Sequence, residues 1–175
     1  ERLMAYHSLD IQWGNHDILW MGAAAGEPAC IVSVLRNNLR YGNYEILEND
    51  YGISLRELVS FADRTYKAGE RITPLIKAVN VLLFKLEGQI IRRHPEFDME
   101  DRLLLDKIDT LTGTVTLPDG TVQKLMTRDF PTVDPHDPYA LTQGEQRIVD
   151  KLVAEFTGAD HLRRHVDFLY RHGSM

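Results

Sequence analysis

The chain has 175 residues, of which 43% are apolar and 26% charged, values of one soluble folded unit or of a piece of a larger protein, and they exclude disorder over most of its length. Twenty Lys and Arg against 26 Asp and Glu leave a net charge of −6, which excludes a broad basic face for nucleic acid while leaving room for a local basic pocket. One cysteine, Cys30, excludes an internal disulfide framework and a thiolate-rich zinc site, and its setting in an apolar helical pattern points to packing rather than reactivity. Apolar runs such as Val79 to Phe84 fall far short of the roughly 18 to 20 residues that cross a bilayer, and no charged-then-apolar signal segment opens the chain. The expected location is the cytoplasm, with no membrane partner and no nucleic-acid partner.

In chain order, Glu1 to His7 spaces its apolar residues helically with no capping residue before them, as the tail of a helix that starts earlier would. Leu9 to Trp13 alternates like a short strand. With no parallel neighbour in the text, that strand is expected to be extended coil or to pair with another molecule. Gly14-Asn15-His16 breaks it, and Asp17 is the expected N-cap of a helix running through Ile18 to Met21, with small residues from Gly22 to Ala25 for close backbone approach and Gly26 as its end. Pro28 suits the first position of the next helix, whose stripe Ile31, Val34, Leu35 and Leu39 runs to Tyr41 and Gly42. Arg36 and Arg40 lie one turn apart on it. Ser54-Leu55-Arg56-Glu57 has the capping-box pattern, predicting a helix from about Leu55 to Lys67.

The longest predicted helix starts near Thr73-Pro74, carries Leu75, Val79, Leu82, Leu83, Leu86, Ile90 and Ile91, and stops at His94 before Pro95. Residues 113–125 change to period two around Pro118-Asp119-Gly120, a β-hairpin. Pro131, Pro135 and Pro138 make 127–140 a rigid extended connection. Thr142-Gln143-Gly144-Glu145 is a second capping box opening a helix to Gly158, Asp160 is the expected cap of the last one, and Gly173 suits a C′ position. The fold class is therefore mainly α with one β-hairpin and a short N-terminal strand. Both ends read as cuts through a longer protein.

Gly14-Asn15-His16-Asp17, after a strand and before a helix, concentrates the chemistry. An Asn carbonyl is a neutral oxygen ligand for a hard or borderline divalent ion, and the adjacent imidazole can stabilise or protonate a leaving alkoxide. The string resembles the Gly-Asn-His-Asp/Glu signature of the calcineurin-like metallophosphoesterases. The longer segment Asp10 to Gly22 is similar to the class III fructose-1,6-bisphosphatases, as are Tyr51 to Arg56, Gly113 to Gly120, Phe130 to Pro135, Pro138 to Thr142, and Arg164 to Val166 with Phe168 to Tyr170. The resemblance covers essentially the whole chain.

It implies a fragment of an α/β metallophosphoesterase sandwich, residues 1–26 carrying a strand, loop and helix of the core and 27–175 a helical insertion. It implies a parent enzyme that hydrolyses fructose 1,6-bisphosphate to fructose 6-phosphate and phosphate in gluconeogenesis with a dinuclear Mn²⁺ site. On the matching positions, Asn15 becomes a metal ligand, His16 the catalytic acid or transition-state stabiliser, and Asp17 a capping or supporting acid. The family's Gly-Asp-x-x-Asp-Arg and Gly-His motifs are absent from the sequence, and its Asp-x-His string, Asp134-Pro135-His136, lies in the proline-rich connection, after rather than before Gly14-Asn15-His16. The chain alone is accordingly expected neither to bind the metal pair tightly nor to turn over substrate, and its partner is the rest of the parent chain. Assembly into a homo-oligomer is left open.

Two alternatives stand beside this: another calcineurin-like phosphatase acting on a protein or dinucleotide, and a non-catalytic helical interaction module. Arg36 and Arg40 are the preferred phosphate-binding candidates, with ion pairs to Glu45 to Asp50 as the competing explanation. His161 and His165 have the spacing of a helical metal pair, but a polar structural role is favoured for want of a third ligand. Arg92, Arg93, Arg163 and Arg164 read as solvated helix ends.

Overall fold

The computed structural model describes residues 2–69 and 72–174. The expected N-terminal helix tail is only a single 3-10 turn at Leu3–Ala5, followed by strand β1 (Ile11–Gln12). Helix α1 (Asn15–Ala24) begins immediately after Gly14, and α2 (Pro28–Arg40) starts where Glu27 accepts a 2.8 Å hydrogen bond from the Cys30 N–H. Gly42, at φ +71, stops α2 in the left-handed conformation that glycine tolerates. A short helix, α3 (Tyr44–Asn49), follows in the acidic stretch.

Helix α4 (Arg56–Thr65) starts one residue later than the capping-box pattern predicts, and the box does not form. Its physical reason is tertiary: the Ser54 N–H donates to the Glu155 carboxylate at 3.1 Å, Leu55 is buried at the N-cap position, and Glu57 approaches Lys151 at 3.9 Å instead of turning back. Helix α5 (Pro74–Arg93) has its expected bounds, with the Thr73 hydroxyl accepting from the Ile76 N–H and Pro74 at the first position.

Strands β2 (Ile108–Asp109), β3 (Thr114–Thr116) and β4 (Val122–Lys124) form an antiparallel sheet in that order, so the expected hairpin gains a third strand. The turn closes with Gly120 at φ +82 and its N–H on the Leu117 carbonyl at 2.9 Å. Helix α6 (Gln143–Gly158) opens with the complete capping box: the Glu145 N–H donates to the Thr142 hydroxyl at 3.2 Å and the Thr142 N–H to the Glu145 carboxylate at 2.8 Å. In α7 (Asp160–His172) the cap position belongs to Ala159; Asp160 is the first helical residue and pairs with Arg163. Gly173 is extended at φ −104 rather than left-handed, because the chain passes directly into β5 (Gly173–Ser174).

That last strand corrects the expectation for the first one. Strand β1 does have a ladder within the chain, pairing in parallel with β5 through Ile11 opposite Gly173 and Gln12 opposite Ser174. The Trp13 indole N–H donates to the Leu169 carbonyl at the end of α7, 3.0 Å away and 156 positions on in the sequence, and its ring meets Tyr170 edge-on. Helices α1 to α7 thus lie in one crossover between two adjacent parallel strands.

The core is built on α2 and α5: α1 and α6 pack on α2, α4 packs on α5, and α7 packs on α1. Val79, Leu82, Val34, Leu35, Leu58, Phe156 and Leu162 are among its fully or nearly fully buried members. Gly22 lets α1 approach α2 closely, since a Cβ there would sit 2.5 Å from the Cys30 sulfur. Lys85 is wholly buried in this core, its Nζ donating to Glu145 Oε2 at 2.8 Å and to the Thr132 carbonyl at 2.6 Å. The proline-rich connection is held on α5 by Tyr139, whose ring lies on Gly88 beneath the Arg92 guanidinium, 4.2 Å from the ring centre. Its phenol donates to Asp106 at 2.9 Å, and burial, then that bond, push it up to about 12.

Candidate functional site at the Gly14–Asp17 turn

The four residues singled out by the sequence stand at the junction of β1 and α1. Gly14 is extended at φ −86, a conformation open to any residue, and a Cβ would meet only the Asp17 carboxylate at 3.6 Å. The bend therefore does not depend on glycine within this chain. Closure comes from Asp17, which is the third residue of α1 and not its N-cap: its carboxylate accepts from the Gly14 N–H at 2.7 Å while its own N–H donates to the Gly14 carbonyl at 3.1 Å. Asp17 is thus a capping acid acting from inside the helix, and it supplies negative charge in the first turn.

Asn15 and His16 are consequently the first two residues of α1, both exposed, and neither side chain makes a hydrogen bond among the described residues. His16 opens onto a cleft of about 140 Å³ between α1 and the end of α2, lined by Leu19, Trp20, Val34, Asn37, Asn38, Tyr41 and Asn43. Trp20 rests on Tyr51 with ring centres 5.1 Å apart, and the Tyr51 phenol meets His165 Nδ1 at 2.9 Å. That pair fixes α1 relative to α7. It also commits His165 Nδ1 to Tyr51.

Arg36 and Arg40 are not brought to this cleft. Val34, Asn37, Asn38 and Tyr41 share one face of α2, and a 100° step per residue puts Arg36, Leu39 and Arg40 on the opposite one. There they line a separate hollow of about 290 Å³ with Ile76, Val79 and Asn80, and Arg36 Nε donates to the Asn80 side chain at 3.0 Å. Arg40 lies over the Tyr41 ring at 5.9 Å. Among the described residues neither forms an ion pair with Glu45 to Asp50. Arg92 is held by Asp137 at 3.1 Å and Arg163 by Asp160.

Among the described residues no three His, Cys, Asp or Glu side chains gather where an ion could be held, and the turn offers one neutral amide oxygen, that of Asn15. The described residues fit one ligand of a centre and do not make up a centre by themselves. Cys30 adds no chemistry: burial first, then the neighbouring Glu27 carboxylate, push its thiol up to about 11, so it stays protonated against Gly22.

Comparison with known proteins assigns the family. A family model described as Firmicute fructose-1,6-bisphosphatase matches residues 1–175. The chain belongs to this family. It is 48% identical over 194 aligned positions to the fructose-1,6-bisphosphatase class 3 of Clostridium novyi, 46% over 195 to one from Clostridium beijerinckii, and 47% over 195 to that of Listeria innocua. Each alignment takes in the whole of this chain but only 29 to 30% of the relative, so this fructose-1,6-bisphosphatase family member spans under a third of the length of the curated relatives it matches. No solved structure matches it.

Sequence reasoning missed Asn37, Asn38 and Asn43. Their signal was available, since Asn37, Asn38 and Tyr41 continue the face of Val34 beyond the buried part of α2, but amides interrupting an apolar stripe resemble an ordinary helix end.

Proposed function

We propose that this chain is a segment of a cytoplasmic metal-dependent phosphatase that hydrolyses fructose 1,6-bisphosphate to fructose 6-phosphate and phosphate, a gluconeogenic step. In this reading β1 and β5 are adjacent strands of a metallophosphoesterase sandwich, residues 1–26 belong to its core, and the helices between the strands are an insertion. The single observation that carries it is the placement of Asn15 and His16: in a chain of this family, an amide and an imidazole stand side by side, exposed and unengaged, at the start of a helix that directly follows a parallel strand. Leu3, Tyr6, Leu9 and Ile18, 66, 84, 41 and 47% exposed, cluster in the same short segment and give the rest of the parent chain an apolar surface to cover.

Asn15 would present its amide oxygen to one Mn²⁺ of a pair whose other ligands come from outside these residues. Such a pair, when bound, supplies charge to stabilise an attacking hydroxide and the phosphoryl oxygens. His16 protonates the sugar oxygen that leaves as the bond from phosphorus to the 1-oxygen breaks, which keeps the product alkoxide from accumulating charge. Asp17 holds the turn through Gly14, and so keeps Asn15 and His16 adjacent.

The test is phosphate release from fructose 1,6-bisphosphate by the complete protein supplied with Mn²⁺. Substituting His16→Ala is expected to lower kcat by about 10² to 10⁴-fold with little change in KM, the size of a positioned proton donor. Wild-type turnover in the variant would remove His16 from the reaction. Activity confined to phosphoproteins or dinucleotides would replace the substrate.

A further inference from the structure

Among the described residues, no Asp, Glu, Lys or Arg lines the cleft beside His16. Its polar lining is the amides of Asn37, Asn38 and Asn43 and the Tyr41 phenol, and its apolar wall includes the Trp20 ring. Asn38 Nδ2 is committed to the Val34 carbonyl at 2.9 Å, leaving its carbonyl oxygen to accept. Asn37 makes no side-chain hydrogen bond among the described residues. Asn43 occupies the N-cap position of α3 without capping it, although asparagine is among the best capping residues. Both amides thus keep a donor and an acceptor each.

This chemistry does not suit a phosphate group, which calls for cations or a bidentate arginine. It suits neutral hydroxyls: each amide can donate to one oxygen and accept from the next, and the aromatic wall takes a sugar's C–H face. A volume of about 140 Å³ admits a single sugar unit rather than an extended chain. We infer that the cleft is a sugar-hydroxyl subsite, in which Asn37 and Asn43 select the sugar of a phosphate ester whose scissile phosphate lies at His16. The inference rests on the phosphatase reading of His16 and adds to it the part of the site that recognises the uncharged sugar between the substrate's two phosphates. It also divides the labour within α2: the amide face meets substrate, whereas the Arg36 and Arg40 face does not.

The experiment compares two phosphate esters in the complete protein, fructose 1,6-bisphosphate and p-nitrophenyl phosphate, for wild type, Asn37→Ala and Asn43→Ala. Position 43 is exposed, so the second variant retains the fold even if the first perturbs α2. Each variant is expected to lose roughly tenfold in kcat/KM on the sugar ester, mostly through KM, because one or two hydrogen bonds to substrate are gone, while p-nitrophenyl phosphate changes less than about twofold. Equal losses on both esters would make the amides structural and overturn the inference, as would unchanged kinetics on both. A wild-type protein inert toward both would instead overturn the phosphatase reading, and the inference with it.

Discussion

Replacing Lys85 by Met tests the account of the helical core. Lys85 and Glu145 are each 0% exposed, and the ammonium supplies both the only cation paired with the carboxylate among the described residues and the donor for the Thr132 carbonyl. Met fills most of the aliphatic volume, so the change isolates the charge. What remains is a fully buried carboxylate, one oxygen holding the Thr142 N–H at 2.8 Å and the other, Oε1, already without a partner. Breaking a buried pair from one side in this way costs about 3–5 kcal/mol, a large share of the roughly 5–15 kcal/mol that holds a domain together. For a chain of this length it corresponds to a fall in Tm of roughly 6–20 °C. Urea unfolding followed by far-UV circular dichroism reads it as a lower midpoint at unchanged slope. The double change Lys85→Met with Glu145→Gln, which removes the stranded charge, is expected to be less damaging than the sum of the single changes by at least about 1 kcal/mol. A loss below about 1 kcal/mol for Lys85→Met, the value of a surface pair, would refute the buried-pair reading.

Gly88→Ala removes a helix-interior glycine, which by itself gains about 0.5–1 kcal/mol, yet the new methyl group would overlap the Tyr139 ring pinned beneath Arg92. Net destabilisation of about 1–3 kcal/mol is expected, and a raised Tm would show that the proline-rich connection does not lie on α5. With its thiol held at about 11, Cys30 should react with a disulfide reagent at pH 8 on the order of a hundredfold more slowly than a free cysteine. Labelling at the free-cysteine rate would contradict the burial assigned to it.

The legible parts of the fold are those decided locally. Thr73-Pro74, Thr142 with Glu145, and Pro118-Asp119-Gly120 satisfy backbone groups within a few residues, so α5, α6 and the hairpin follow from the text. Where a distant group competes, local pattern misleads. Glu155 takes the Ser54 N–H and displaces a capping box, and Trp13 ties β1 to the end of α7 so that a strand expected to lack a ladder finds one. Helix α3, six residues without an apolar stripe, carries no periodic signal. At the site, the identities of Asn15, His16 and Asp17 were readable from the string, but not their place inside α1, which Asp17 determines by reaching back to Gly14. Arg36 and Arg40 share a helix with the amides of the cleft, and only the rotation of α2 imposed by burying Val34 and Leu35 sends them toward Asn80.

The central claim is that the Asn15 amide is one corner of a metal centre completed by residues beyond these. Metal analysis of the complete protein, dialysed against limiting Mn²⁺, measures it directly. The account predicts close to two ions per wild-type chain, a substoichiometric value for Asn15→Ala, and no retained ion for the 175-residue chain alone. Full occupancy in Asn15→Ala would contradict it.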